Sequence, residues 1–203
     1  FIHEEFQKVK ANPDLVQVLP APVTKEATHE LMRQCDLVAA TGSQSNIRAA
    51  YSSGRPAIGV GQGNVVAIVD ASADLADAAA KIARSKTFDN ATSCSSENSV
   101  VILASVYDAM VKALGKQGGA MLDAAEKAKL QAVMFPGGKL SPATTAQSAE
   151  KIAGLAGLSQ KAKFLMVEES GTGPAHPFSG EKLAPVLAVY KAKDIDEAFH
   201  ITR

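Results

Sequence analysis

Residues 37–60, LVAATGSQSNIRAAYSSGRPAIGV, contain a strand–helix–strand unit that decides the fold class. The apolar runs Leu37–Ala40 and Ala57–Val60 have the length and composition of buried strands, and Ser45–Ser53 between them favours a helix. Strands that alternate with helices are typical of layered α/β proteins. The segment therefore predicts an α/β fold with a mostly parallel sheet.

The same alternation continues on both sides of this unit. Further strands are predicted at Leu15–Leu19, Val65–Val69, Val100–Leu103, Phe164–Glu168 and Val186–Tyr190. Further helices are predicted at Ile2–Ala11, Lys25–Arg33, Ala73–Lys86, Val106–Gln117, Asp123–Val133, Thr144–Leu155 and Ile195–Thr202. Ser72 and Asp74 are both candidates to cap the helix near Ala73. We expect two domains, residues 1–60 and 61–203, and a chain that is a fragment of a longer protein.

Composition and charge argue against several classes of protein. The 21 basic residues balance 21 acidic ones, so no basic field points to nucleic acid. No apolar stretch reaches the roughly 18–20 residues that a membrane span needs. Only Cys35 and Cys94 are present, without a CxxC pair or a Cys/His cluster, which argues against a disulfide framework and a metal site. These observations predict a cytoplasmic globular protein that has no metal, membrane or nucleic-acid partner.

Two glycine-containing segments are candidates for binding a cofactor. Thr41-Gly42-Ser43 joins a predicted strand to a predicted helix, whose free N–H groups suit an anion such as a pyrophosphate; such turns are also common as purely structural features. Gly59, Gly61 and Gly63 alternate in GVGQG, but a strand follows them, so they do not form the phosphate-binding G-x-G-x-x-G motif. They indicate either a close backbone passage between strands or a surface for a flat ligand.

Cys94 and Glu181 are the residues most suited to chemistry. Cys94 lies among small polar residues in ATSCSSEN, after a predicted helix and before a predicted strand, which favours an accessible nucleophilic thiol over a core cysteine. Cys35, in LMRQCDLVAA, has the surroundings of a structural cysteine. Glu181 follows a long irregular loop and is either a solvated carboxylate or an acceptor for ribose hydroxyls. His176, in the same loop, is more typical of a structural or exposed histidine.

Taken together, the segments ATGSQSNIRAAYSSGRPAIGVGQGN, KTFDNATSCSSENSVV and HPFSGEKLAPVLAVYKA resemble the CoA-acylating branch of the aldehyde dehydrogenase superfamily. The resemblance covers about residues 37–192. It implies the end of a Rossmann-type NAD(P)-binding domain at residues 1–60 and a parallel-sheet α/β catalytic domain at 61–203. It further implies NAD or NADP as cofactor, CoA as co-substrate, a small aldehyde as substrate, and a homodimer or homotetramer in the full-length protein.

By position, the resemblance implies that Cys94 is the catalytic nucleophile and that Thr41, Gly42 and Ser43 form the turn that binds the cofactor phosphates. Glu181 matches the glutamate that holds the nicotinamide ribose. The segment Gly59-Val60-Gly61 stands where hydrolytic aldehyde dehydrogenases carry E-L-G, whose glutamate activates the deacylating water. Gly59 cannot do this, so the thioester would wait for the CoA thiol. A glutamate at position 59 is expected to restore some hydrolysis if it fits.

Two alternatives remain open at this stage. The first is a hydrolytic NAD(P)-dependent aldehyde dehydrogenase, against which Gly59 argues. The second is a non-catalytic nucleotide-binding fragment in which the glycines and cysteines are structural.

Overall fold

A computed structural model describes all residues, 1–203, and divides the chain into two compact units. The units are Phe1–Gln62 and Gly63–Arg203, so the division lies two residues beyond the predicted domain boundary. No helix in either unit combines the length and the apolar composition needed to cross a bilayer.

The first unit is built around a pair of parallel strands. Its helices are α1 (Ile2–Lys8), α2 (Lys25–Gln34) and α3 (Gln44–Tyr51), and its strands are β1 (Val38–Thr41) and β2 (Ala57–Val60). The two strands pair in parallel, with Thr41 opposite Val60. The strand–helix–strand unit predicted from residues 37–60 is therefore confirmed.

The second unit contains a five-stranded, fully parallel sheet. Its strands are β3 (Val65–Val69), β4 (Glu97–Leu103), β5 (Gly119–Met121), β6 (Phe164–Glu168) and β7 (Val186–Ala192), in the spatial order β3-β4-β7-β6-β5. Its helices are α4 (Leu75–Thr87), α5 (Tyr107–Lys116), α6 (Ala124–Met134), α7 (Ala149–Leu155) and α8 (Ile195–Ile201). The last strand in the sequence, β7, thus occupies the centre of the sheet.

Helices cover both faces of this sheet. Successive residues of a strand point to opposite faces, and in β4 Val100 and Ile102 join one buried cluster while Val101 joins the other. The first cluster also contains core residues of α4 and α5, and the second contains core residues of α6, α7 and α8. The predicted α/β class with a parallel sheet is confirmed.

The predicted strand at Leu15–Leu19 is wrong. Pro13–Leu15 forms a short 3-10 helix, which Asn12 caps by accepting a hydrogen bond from the N–H of Asp14 at 2.9 Å, and the residues after it are not in a strand. Val18 is 86% exposed. The apolar run has no neighbouring strand to pair with, and strand propensity alone does not create one.

The short strand β5 was not predicted, because Gly118 and Gly119 give it the composition of a turn. Its pairing with β6 at the sheet edge supplies the hydrogen bonds that stabilise it. The helix predicted from Thr144 begins only at Ala149, since Ala146 has φ +59° and Ser148 caps the helix by accepting from Lys151 N–H. Of the two capping candidates for α4, Asp74 accepts from the first-turn N–H groups.

Candidate functional site

The second unit gathers residues 63, 94 and 181 at the amino ends of three adjacent strands. Gly63 precedes β3, Cys94 precedes β4 and Glu181 precedes β7, and these strands are neighbours in the sheet. Because the strands are parallel, the segments that precede them lie at the same end of the sheet. Residues separated by up to 118 positions in sequence thereby become neighbours.

Gly63 leaves an open space between Cys94 and Glu181. A Cβ atom at position 63 would lie 3.4 Å from the Cys94 carbonyl oxygen, 4.0 Å from Cys94 Cβ and 3.8 Å from Glu181 Oε1. Cys94 and the Glu181 carboxylate therefore border the same small gap, which the missing side chain of Gly63 keeps free. Burial raises the pKa of the Glu181 carboxyl, and the N–H of Gly63 partly offsets this rise.

The Cys94 thiol is presented on a tight turn. The N–H of Ser96 donates to the carbonyl of Ser93 at 3.0 Å, which closes a turn with Cys94 and Ser95 at its centre. Cys94 is exposed, while Ser96 behind it is buried. The N–H of Cys94 donates to no acceptor in the protein. A thiol beside an unused donor can attack a carbonyl whose oxygen that donor then stabilises.

The segment that leads into this turn has an unusual backbone. Asp89, Asn90 and Ala91 have φ values of 47°, 52° and 56°, in the left-handed region that side chains other than glycine rarely adopt. Asn90 Nδ2 donates to the Ala146 carbonyl at 3.1 Å, and Thr92 Oγ1 donates to the Asp89 carbonyl at 2.6 Å. Strained backbone that the surrounding contacts maintain is common at functional sites.

Two asparagines hold the loop that carries Glu181. Asn64 Nδ2 donates to the Ser179 carbonyl at 2.9 Å, and Asn98 Oδ1 accepts from the N–H of Lys182 at 3.1 Å. Asn64 follows Gly63, and Asn98 lies four residues after Cys94. The three segments of the site are therefore linked to one another by hydrogen bonds.

A fully buried lysine supports the same loop from below. Lys182 Nζ donates to the carbonyls of Phe178 and Gly180 at 2.6 and 2.9 Å. Burial, together with the nearby charge of Lys86, holds the pKa of Lys182 well below its usual value. Burial also lowers the pKa of Lys86 to about 8, although Glu97 opposes that shift. Two buried lysines near the site, Lys86 and Lys182, therefore have charged forms that burial disfavours.

In the first unit, the turn at 41–43 lies at the carboxyl ends of β1 and β2. Gly42 has φ +117°, a backbone conformation that residues with a side chain rarely adopt. Ser43 caps α3, and its hydroxyl is 2.8 Å from the hydroxyl of Ser45. Because Thr41 pairs with Val60, the predicted residues 41–43 and 60–61 meet at this edge. Val60 is exposed, and a Cβ at Gly61 would meet the Gln44 side-chain nitrogen at 2.5 Å.

A cleft of about 840 Å³ lies between α2, β1 and α3. Its polar lining includes Thr41, Ser45 and Asn46, and its basic lining includes Lys25 and Arg48. This volume is within the usual range for cofactor sites, and the start of α3 supplies N–H groups that suit a phosphate. The residues present therefore fit part of a dinucleotide.

Gly59 packs closely against two side chains of α3, which favours the interpretation of this glycine as a site of close packing and not as a ligand surface. A Cβ at this position would lie 2.7 Å from Ile47 Cγ2 and 2.9 Å from Tyr51 Cε2, and the Tyr51 hydroxyl accepts from the Gly59 N–H at 3.1 Å. The expectation that a glutamate at 59 restores some hydrolysis depends on whether that side chain fits, and these contacts with Ile47 and Tyr51 decide it. A larger side chain at 59 is accommodated only if the side chains of Ile47 and Tyr51 move.

The remaining candidates, His176 and Cys35, are placed as structural residues. His176 Nδ1 lies 3.0 Å from the buried Glu169 carboxylate, which also pairs with Lys127 Nζ at 2.9 Å. This arrangement ties down the loop before Glu181. Cys35 is partly buried at the end of α2.

Several residues of the site escaped the sequence analysis. Gly63 belonged to the recognised glycine series, but nothing in its spacing separated it from Gly59 and Gly61. Asn64, Asn98 and Lys182 act through contacts across 84 to 115 positions, which a single sequence does not reveal. Only their proximity to Gly63, Cys94 and Glu181 in the chain could have drawn attention to them.

Comparison with known proteins identifies the family. The aldehyde dehydrogenase family model matches residues 1–202. An acylating sulfoacetaldehyde dehydrogenase from Cupriavidus necator is 59% identical over 98% of this chain and 41% of its own. Two solved structures are also similar over 98% of this chain and 45% of theirs. An acetylating aldehyde dehydrogenase from Geobacillus thermoglucosidasius has a TM-score of 0.93 and 37% identity, and a Rhodopseudomonas palustris propionaldehyde dehydrogenase with bound propionyl-CoA has 0.88 and 26%.

The chain spans less than half the length of each of these relatives. The match nevertheless extends over nearly every residue of the chain, in sequence and in fold. The chain therefore belongs to the aldehyde dehydrogenase family.

Proposed function

We propose that the full-length protein is a CoA-acylating aldehyde dehydrogenase. It oxidises a small aldehyde to an acyl-CoA through a thioester on Cys94. The observation that carries this proposal is that Gly63, Cys94 and Glu181 border one gap at the amino ends of β3, β4 and β7. The named activities of the relatives, acylating and acetylating, support the same reaction class.

Each of the three residues has a distinct role in this proposal. The Cys94 thiolate attacks the aldehyde carbon, and the Cys94 N–H stabilises the resulting oxyanion. NAD(P)+ supplies the hydride acceptor when it is bound. Gly63 leaves the space that lets a flat ring approach Cys94, and Glu181 accepts hydrogen bonds from a ribose. The cleft of the first unit, with the turn at 41–43, binds the phosphate-containing part of the cofactor.

The second half of the reaction transfers the acyl group. The thiol of CoA attacks the Cys94 thioester after losing its proton, and Cys94 leaves as a thiolate, which is the form needed for the next cycle. Gly59 offers no carboxylate that could activate water instead. The hydrolytic alternative requires such a base, which typically contributes 10²–10⁴-fold.

Substrate, assembly and compartment are part of the same proposal. The name of the Cupriavidus necator relative suggests an aldehyde that carries a sulfonate. We assign the protein to the cytoplasm, consistent with its two free cysteines. The family resemblance supports a homodimer or homotetramer.

A burst experiment tests the proposal. Full-length protein is mixed with aldehyde and NAD(P)+, and reduced cofactor, free acid and acyl-CoA are measured. Without CoA, we expect at most one equivalent of reduced cofactor per site; with CoA, turnover is steady and yields acyl-CoA. The Cys94→Ala variant should give no burst. Sustained release of free acid at an equal rate without CoA would establish the hydrolytic alternative and overturn the proposal.

A further inference from the structure

A second, smaller cleft lies directly beside the Cys94 turn. Its volume is about 310 Å³, and it is bordered by the carboxyl-terminal end of α4 and by the turn residues on either side of Cys94, Ser93 and Ser95. Lys81, Arg84 and Phe88 also line it. Their spacing places them on one face of the helix and its cap.

The chemistry of the cleft is that of an anion site. It is lined by two cations and several hydroxyl groups, and no carboxylate lines it. Lys81 is already paired with Asp77 at 2.6 Å. Arg84, one turn further along α4, has no carboxylate or carbonyl partner in the chain. Its guanidinium is therefore the cation available to a ligand.

The cleft also has features that suit a short carbon chain. The ring of Phe88 is 70% exposed and offers an apolar surface, and the hydroxyls of Ser93 and Ser95 lie within 2.8 Å of each other. A volume of about 310 Å³ lies at the lower end of the range for ligand sites, which suits a small molecule better than the whole of CoA.

We propose that this cleft binds the anionic head of the aldehyde substrate and that Arg84 selects it. The inference rests on the proposed function. The planar guanidinium matches a sulfonate or carboxylate, to which it can donate two parallel hydrogen bonds. The head group bound there holds the aldehyde end beside the Cys94 thiol. Arg84 is thus a specificity residue for short aldehydes that carry a negative charge.

Kinetics of full-length variants test this role. Wild type, Arg84→Gln, Arg84→Lys and the control Lys139→Gln, at an exposed lysine outside the cleft, are compared with sulfoacetaldehyde and with neutral propionaldehyde, in the presence of CoA and NAD(P)+. We expect Arg84→Gln to lower kcat/KM for sulfoacetaldehyde by about 10- to 100-fold, as for a lost charged hydrogen bond. Its kcat/KM for propionaldehyde should change less than about 3-fold. Arg84→Lys should retain part of the preference, and Lys139→Gln all of it.

A binding measurement gives a readout that does not depend on turnover. Ethanesulfonate, which has no aldehyde group, should slow the alkylation of Cys94 by neutral N-ethylmaleimide in wild type but not in Arg84→Gln. Propanol should protect neither protein. If the sulfonate protects both proteins equally, or neither, Arg84 does not bind the anion.

The outcomes separate failure of this inference from failure of the proposed function. A wild type that forms no acyl-CoA from any aldehyde contradicts the proposed function, while the alkylation experiment still decides on Arg84. An active wild type whose preference for the charged aldehyde survives Arg84→Gln contradicts only the anion site. A rise in the KM for CoA alone would assign Arg84 to a phosphate of CoA and overturn the inference.

Discussion

Asn98 accepts a hydrogen bond at 3.1 Å from the backbone N–H of Lys182, the residue that follows Glu181. Both residues are buried, so no water can replace this bond without entering the core. The contact fixes the loop that carries the carboxylate to the strand that begins behind Cys94. The separation between Cys94 and Glu181 therefore depends on a residue that need not touch substrate or cofactor.

We expect Asn98→Ala to destabilise the protein by about 1–3 kcal/mol, because it leaves the Lys182 N–H buried without an acceptor. Urea unfolding measures the change. Asn64→Ala is the matched control, since it removes a contact to the same loop from an exposed residue and should cost less than about 1 kcal/mol. Equal losses in the two variants would contradict this account of the loop.

Gly63→Ala should lower activity without harming the fold. The new methyl group would be in ordinary contact with Cys94 and Glu181, at 3.4 Å or more, but it would fill the gap between them. We expect kcat/KM to fall at least about 10-fold, while the free energy of unfolding changes by less than about 1 kcal/mol. Gly115→Ala, where a Cβ meets no atom within 4 Å, is the control and should leave activity unchanged. An active Gly63→Ala enzyme would show that the gap has no function.

Glu181→Gln should impair hydride transfer and leave the thiol intact. If Glu181 holds the cofactor ribose, its loss lowers kcat or raises the KM for NAD(P)+, whereas iodoacetamide should alkylate Cys94 at nearly the wild-type rate. Cys94, which is exposed, should react faster than the partly buried Cys35. Mass spectrometry of the two cysteine-containing peptides, together with steady-state kinetics, measures both effects. Unchanged kcat and cofactor KM would remove Glu181 from the site.

Lys86 should make stability depend on pH in the alkaline range. Burial lowers its pKa to about 8 in the folded protein, whereas an unfolded lysine holds its proton up to about pH 10.4. Between these values the unfolded chain binds more protons, so stability rises with pH, by roughly 2 kcal/mol from pH 7.5 to 9.5. Urea unfolding of Lys86→Met should show a smaller rise than the wild type, because the buried Lys182, whose pKa is also lowered, still contributes; Lys139→Met, at an exposed position, should retain the full rise. A rise of the same size in both variants would contradict the assignment to Lys86.

The fold was largely predictable because its strands are apolar on both faces. The strands Val65–Val69 and Phe164–Glu168 begin and end at the residues predicted from the sequence. Errors arose where a neighbour decides the structure. The exposed run Leu15–Leu19 had no partner strand, and the glycine-rich β5 formed because β6 pairs with it.

The site was predictable only where a residue type itself indicates chemistry. Cys94 and Glu181 were singled out from local composition and from the family resemblance, and they do lie together. The family resemblance points to Gly59 and does not distinguish Gly63, yet the missing side chain of Gly59 makes room for Ile47 and Tyr51 and that of Gly63 leaves the gap beside Cys94. The buried Lys182 had the sequence appearance of a surface lysine, because burial depends on the strands packed around it.

The central position of β7 imposes an order on synthesis. A ribosome releases β3, β4, β5 and β6 before the strand that must insert between β4 and β6. Until residue 192 emerges, these two strand pairs present inward edges with unpaired backbone groups, a state prone to aggregation during slow parallel pairing. The nascent polypeptide therefore cannot bring Cys94 and Glu181 together early, because Glu181 emerges just before the final strand. Premature termination within the last twenty residues of this sheet would yield a product prone to misfolding, in which Cys94 and Glu181 do not come together.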